Sequence, residues 1–203
     1  MDNFQTTINK SIKLNGVGLH TGKNVTIIFS PAPPDVGYCF VRDDLEGKPT
    51  VEADIQWVYD TQRGTNLKKN GVLINTTEHV LSALVGLDID NCYIHLDAPE
   101  PPIMDGSSKD FLNVLTETNL VNQTKKRKYL KISDKIELVD GEKRISIEPH
   151  NSLEVDFQLK YENRIIGNQR NKVKVYEDDL RDIYNSRTYC LFEDIEIIKK
   201  IKL

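Results

Sequence analysis

Cysteine is scarce in this sequence, long apolar runs are missing, and neither sign of charge dominates. The three cysteines, Cys39, Cys92 and Cys190, are odd in number and widely spaced. That pattern supplies neither a disulfide framework nor a CxxC metal site, and a reducing cytoplasm is the simplest setting for it. No apolar stretch approaches the roughly 20 residues that a membrane-spanning helix needs. The first residues, Met1 to Gln5, lack the basic and then apolar regions of a signal peptide. A net charge of −4 and a pI near 5.6 argue against nucleic acid as the main partner, because phosphate-binding surfaces carry a basic excess. The single dense basic run, Lys125 to Lys128, reads as a solvated linker.

Hydrophobic residues at 38% and charged residues at 29% are the balance of a folded chain with a real core. The first half reads as short strands. Asn24 to Phe29 is rich in β-branched and apolar residues and is broken by Pro31 to Pro34. Tyr38 to Val41, Ile55 to Val58 and Val72 to Ile74 are further strand candidates. The period then changes: Val80, Leu81, Leu84 and Val85 fall at helical spacing, with Gly86 as a stop. Asn75 precedes Glu78 at capping-box spacing, which predicts a helix from about Thr76 with Glu78 and His79 in its first turn. Asn91 to Leu96 alternates, with Cys92, Ile94 and Leu96 on one side and Tyr93 and His95 on the other. A Pro-rich loop, Ala98 to Ser108, leads to a second helix from Lys109 to Thr118, whose buried stripe is Phe111, Leu112 and Leu115.

Asn119 to Lys128 is polar and reads as a linker between two domains, at 1–122 and 128–203. Beyond it, Ile136 to Val139 and Lys143 to Glu148 flank Asp140-Gly141, a hairpin signal. Leu153 to Leu159 alternates, Lys172 to Val175 is a short strand, a helical turn is expected over Glu177 to Tyr184, and a last helix from near Glu193. The halves therefore read as rough copies, strands followed by helix. Ile195, Ile198 and Ile201 form an apolar stripe with no Gly, Asn or Pro to end it, the mark of a cut within a helix.

Glu78-His79 is the most suggestive chemical pair. At a helix start these side chains lie near free N–H groups and the positive dipole end. A histidine there can ligate a metal, and the adjacent glutamate can deprotonate a metal-bound water. The same residues have a plain reading, with Asn75 and Glu78 as a cap and His79 as polar surface. Asp105 likewise reads equally as a site residue or as a turn residue before Gly106 that caps the next helix.

Five blocks carry a resemblance: GVGLHTG from Gly16 to Gly22, TEHV from Thr77 to Val80, GLDIDN from Gly86 to Asn91, APEPPIMDGS from Ala98 to Ser107, and NSRT from Asn185 to Thr188. In this order they resemble the UDP-3-O-acyl-N-acetylglucosamine deacetylases of lipid A synthesis, from Gln5 to about Ile198. The resemblance implies an α+β fold of two similar domains, each a β-sheet layered against a pair of helices, with the active site between them and the second domain incomplete here. It implies a Zn2+ cofactor and hydrolysis of the N-acetyl group of a UDP-3-O-(3-hydroxyacyl)-N-acetylglucosamine. It implies no membrane span and at most a peripheral contact through the acylated substrate. Residue by residue, His79 matches a zinc ligand, Glu78 the carboxylate that activates water, and Thr188 the donor to the developing oxyanion. Tyr189 matches an aromatic position near the sugar, and His20 and Asp105 lie in blocks that line the cleft.

Two departures stand beside these matches. The family's HKxxD block, which supplies the other zinc-binding histidine and aspartate, is absent, as is the histidine that acts as general acid. After His79 only His95 and His150 remain, the first in an alternating strand and the second in a turn after Pro149, and neither has an i+4 carboxylate partner on a helix. A catalytic zinc takes three protein ligands and an open position, so this chain by itself is expected to bind zinc poorly and to lack turnover. The alternative is a catalytically inactive module that binds a sugar nucleotide or a protein. The unended apolar stripe argues against it, because exposing Ile195, Ile198 and Ile201 invites aggregation.

Overall fold

The structure, a computed structural model, describes residues 4–189 and Ile195. In chain order its elements are β1 (Phe4–Ile8), β2 (Ile12–Val17), β3 (Asn24–Pro31), β4 (Tyr38–Arg42), β5 (Thr50–Glu52), a 3-10 turn (Ile55–Trp57), β6 (Val58–Asp60), β7 (Asn66–Lys69), β8 (Val72–Ile74), α1 (Glu78–Gly86), β9 (Cys92–Leu96) and α2 (Lys109–Thr116). There follow β10 (Leu120–Lys126), β11 (Ile136–Asp140), β12 (Lys143–Ile147), β13 (Glu154–Lys160), β14 (Asn168–Lys174) and α3 (Arg181–Asn185). The class is α+β. The chain divides into two units, one built from the residues up to Lys126 together with those from Arg181, the other from Arg127–Leu180.

A five-stranded sheet of order β2-β3-β9-β4-β5 organises the first unit. Side chains that alternate along a strand line up across the sheet, and here one row carries the core. Phe29 pairs with Ile94, Ile94 with Phe40, and Phe40 with Val51, and all four are fully buried. The ring of Phe111 from α2 stands edge-on to Phe29, with centroids 6.3 Å apart and planes at 77°. Val80, Ala83 and Leu84 of α1 and Leu115 of α2 complete the same cluster. Of the stripe expected on α1, Val80 and Leu84 are buried, Leu81 is partly buried and Val85 is exposed, Ala83 taking its place in the core; on α2 Phe111 and Leu115 are buried and Leu112 partly so. β9 buries Cys92, Ile94 and Leu96 as its alternation predicts.

Several local expectations are corrected. Leu120 to Lys126 is a strand and not a linker: β10 pairs antiparallel with β1, from Ile8↔Leu120 to Phe4↔Lys126. Its polar residues have partners, since Gln123 accepts from Asn91 Nδ2 at 2.7 Å and donates to Ala32 O at 2.7 Å. Ile55–Trp57 is a 3-10 turn, capped by Asp54 Oδ1, which accepts the Gln56 N–H at 3.0 Å, and the strand expected around Ile55 to Val58 begins only at Val58. Helix α1 starts at Glu78, because Thr76 sits at φ +54°, outside the helical region. The capping box does not form, and Asn75 Oδ1 is buried with no hydrogen-bond partner among the described residues.

In the second unit two hairpins are described, β11–β12 and β13–β14. The first turns through Gly141 at φ +57°, where the Asp-Gly signal placed it. The second carries a bidentate pair, Arg170 Nε to Asp156 Oδ1 at 2.8 Å and Arg170 Nη2 to Asp156 Oδ2 at 2.5 Å. Of the Glu177 to Tyr184 turn, Arg181–Asn185 is helical and groups with the first unit. The helix expected from near Glu193 lies outside the described residues, Ile195 excepted.

Among the described residues the Phe111 ring is the one aromatic contact between a helix and the central row. Phe111→Ala is expected to cost about 3–5 kcal/mol of unfolding free energy, measured by denaturant titration; a loss below about 1 kcal/mol would show that α2 does not hold the sheet.

Candidate active site

The site grows from the end of β2. There the chain makes a tight loop, Gly18 to Gly22, closed by Gly22 N–H to Gly18 O at 3.0 Å and Gly18 N–H to Lys23 O at 2.9 Å. His20, at its tip, is exposed. Its Nε2 lies 3.3 Å from the Arg63 carbonyl. Beneath it is Glu100, which has no solvent exposure. Both Glu100 oxygens lie 3.1 Å from His20 N, Oε2 accepts from Thr21 N–H at 3.0 Å, and Oε1 accepts from the Thr76 hydroxyl at 3.1 Å.

Thr76 opens the turn into α1. A β-branched residue at φ +54° is strained, and it persists only where its surroundings over-determine it. Here its N–H is held by Asn66 Oδ1 at 3.0 Å and its hydroxyl by Glu100. Thr77 follows, with both N–H and hydroxyl on the Thr65 carbonyl at 3.1 and 3.0 Å. Glu78 and His79 are then the first two residues of α1. Glu78 Oε2 accepts the Thr65 N–H at 2.9 Å, while Oε1 lies 4.0 Å from His79 Nε2. Their side chains are 39% and 15% exposed, so this carboxylate has one oxygen fixed and one open beside a largely sheltered imidazole.

Asp105 and Thr188 form a second group. Asp105 Oδ1 accepts from Ser107 N–H at 3.0 Å and from its hydroxyl at 2.6 Å. These Ser107 hydrogen bonds hold the exposed Asp105 carboxyl below its ordinary range. Ser107 Oγ in turn accepts the Lys109 N–H at 3.2 Å, at the start of α2. The contacts of Asp105 are thus those of a turn residue, and it caps α2 only through Ser107. Gly106, at φ +85°, presents its carbonyl to the Thr188 N–H at 2.7 Å, and Ser108 N–H donates to Tyr184 O at 3.2 Å. Tyr189 follows, 52% exposed. The Ala98–Ser108 loop therefore carries both groups, Glu100 holding the first and Gly106 the second.

Several participants escape sequence reasoning. Thr65 acts through its main-chain N–H, which leaves no side-chain signature. Glu100 had a signal, an acidic residue between prolines in an otherwise apolar loop. Gly86 ends α1 as expected, but a second feature of it has no local signal: a Cβ there would overlap the Tyr184 hydroxyl.

His79 fits as one metal ligand, with a carboxylate at hand to hold a water. His95 is engaged elsewhere, its Nδ1 3.1 Å from Asp43 Oδ2, and His150 Nδ1 accepts the Ser152 N–H at 3.3 Å. Among the described residues no group of three His, Cys, Asp or Glu side chains could enclose a metal, so two further ligands are not found there. Nor is any helix among them long and apolar enough to cross a membrane.

Gly86→Ala is expected to displace Tyr184, and with it the segment leading to Thr188. Burial raises the Tyr184 phenol above its ordinary pKa. In the variant that phenol should titrate nearer to about 10, followed by the NMR shift of the ring carbon bearing the hydroxyl; an unchanged titration would mean that Tyr184 tolerates the added methyl.

The sequence profile of the UDP-3-O-acyl N-acetylglycosamine deacetylases matches residues 5–203. A UDP-3-O-acyl-N-acetylglucosamine deacetylase of Syntrophotalea carbinolica is 40% identical over 197 residues, covering 97% of this chain and 64% of that protein. A bifunctional enzyme LpxC/FabZ of Chlorobaculum tepidum is 40% identical over 195 residues, 95% of this chain and 42% of its own length. A deacetylase of Shewanella violacea is 37% identical over 200 residues, 97% and 65% respectively. The chain thus spans less than two thirds of the length of these relatives. With a profile match of this extent and relatives of this identity, the chain belongs to the UDP-3-O-acyl N-acetylglycosamine deacetylase family.

Proposed function

We propose that this chain carries the Glu-His half of a zinc-dependent deacetylase that releases acetate from UDP-3-O-(3-hydroxyacyl)-N-acetylglucosamine in the cytoplasm, as a step of lipid A synthesis. The observation that carries the reading is the orientation of Glu78: Thr65 N–H holds one oxygen at 2.9 Å, and the other lies 4.0 Å from His79 Nε2. A helix cap would need its carboxylate on the helix's own amides, whereas this one is aimed beside an imidazole.

In the reaction Glu78 Oε1 takes a proton from the attacking water as a general base. Thr188, fixed through its N–H to Gly106 O, offers its hydroxyl to the oxygen of the acetyl carbonyl as charge develops there. Tyr189 and His20 orient the sugar nucleotide, and Asp105 shapes the turn that holds Thr188. His79 would be one ligand of a zinc ion, which when bound lowers the pKa of a water and polarises a carbonyl. The remaining ligands and the group that protonates the departing amine come from outside the described residues. We further propose that the chain from Lys128 onward is the incomplete part of a second domain that would repeat the first as a sheet on a helix pair, and that any membrane contact is peripheral, through the acyl chain of the substrate.

In the full-length zinc-loaded protein, Glu78→Ala is expected to lower turnover by about a hundredfold or more with zinc retained, the loss of a positioned general base. His79→Ala should remove metal and activity together. Zinc content by elemental analysis beside acetate release checks both; normal turnover in zinc-replete Glu78→Ala would show that another group is the base.

A further inference from the structure

Glu100 does more than fill the loop it lies in. It is wholly buried, and its partners among the described residues are two successive main-chain amides and one hydroxyl, with no cation. Burying a carboxylate away from any cation is costly, and an apolar side chain would suit its Pro-rich surroundings as well for stability alone. What a carboxylate adds is geometry: consecutive N–H groups aimed at one anion form a nest that admits a single loop conformation. Gly18 sets the approach, since a Cβ there would come within 2.7 Å of Glu100 Oε2.

Two arms run from this carboxylate to Glu78. One passes through the His20 amide to the His20 imidazole, then to the Arg63 carbonyl at 3.3 Å. Two residues on, Thr65 N–H holds Glu78 Oε2, and the intervening Gly64 would place a Cβ 3.5 Å from Glu78 Oε1. The other passes through the Thr76 hydroxyl into the strained turn that delivers Glu78 as the first residue of α1. We propose that Glu100 is a positioning residue, whose buried carboxylate sets His20 and Glu78 in one arrangement toward a shared substrate, through the loop that carries His20 and through the turn that carries Glu78. This rests on the function proposed above.

The test is a double-mutant cycle in the full-length zinc-loaded protein. Gln is isosteric with Glu but has one acceptor oxygen and turns an NH2 toward the loop amides. Glu100→Gln is expected to lower kcat/KM by about tenfold or more, as losses of supporting partners typically do, with zinc content unchanged. In a His20→Ala background the same change should cost clearly less than in the wild type, because the arm that runs through His20 is already lost there. Hydrogen exchange at the His20 and Thr21 amides should quicken in Glu100→Gln, a readout independent of turnover. Additive losses, full activity in Glu100→Gln, or unchanged exchange at both amides would each overturn the proposal. Should Glu100→Gln fail to fold or to hold zinc, Glu100→Asp, which keeps the charge but is shorter by one methylene, enters the same cycle under the same criteria. A wild-type protein without deacetylase activity would contradict the proposed function, and the exchange measurement would still decide whether Glu100 holds the loop.

Discussion

Glu100 places a carboxylate where water does not reach it, and an unpaired buried anion is among the least tolerable features a fold can contain. Its oxygens must be met by donors brought from elsewhere in the chain. Here they come from the loop after β2, about eighty positions earlier in sequence, and from the turn before α1. Satisfying this one group therefore joins three segments that no local preference would bring together. It also sustains the left-handed Thr76, which in turn fixes where α1 begins and which residue leads it. The Glu78-His79 pair faces its surroundings as it does because the buried anion beneath leaves few other arrangements.

The same loop reaches the other half of the site. From Glu100 it runs to Asp105-Gly106, where φ +85° at Gly106 turns a carbonyl toward the Thr188 N–H. Ser108 then ties to Tyr184, whose ring closes on Gly86 at the far end of α1. The helix that presents Glu78 at its start thus receives, at its end, the segment leading to Thr188. Residues from the Pro-rich loop and α1 hold in place two groups, Glu78 and Thr188, separated by 110 positions of sequence.

What was legible in the sequence is what periodic burial dictates. Val25, Ile27 and Phe29, then Cys92, Ile94 and Leu96, alternate because one face of the sheet is the core, and Phe111 and Leu115 fall one turn apart because one face of α2 is. Where burial is not periodic the reading fails. β10 is mostly polar and buries no side chain fully, and its place is set by pairing with β1 and by the side-chain bonds of Gln123, both distant in sequence. Gly86 ends α1 as glycine often does, but the close approach of Tyr184 to it is encoded by no local pattern. At the site, Glu78-His79 was visible as a dipeptide with a chemistry. The groups that aim it were not, since Thr65 contributes an amide and Glu100 acts through contacts at long range.

Family membership and the geometry of Glu78 and His79 meet in one claim, that the head of α1 is a metal-assisted hydrolytic centre. Zinc-edge anomalous diffraction from crystals of the full-length protein tests it most directly. The account predicts an anomalous peak about 2.0–2.1 Å from an imidazole nitrogen of His79, with a bound water within hydrogen-bond reach of Glu78 Oε1. A zinc peak elsewhere, with the His79 imidazole unliganded, would contradict it.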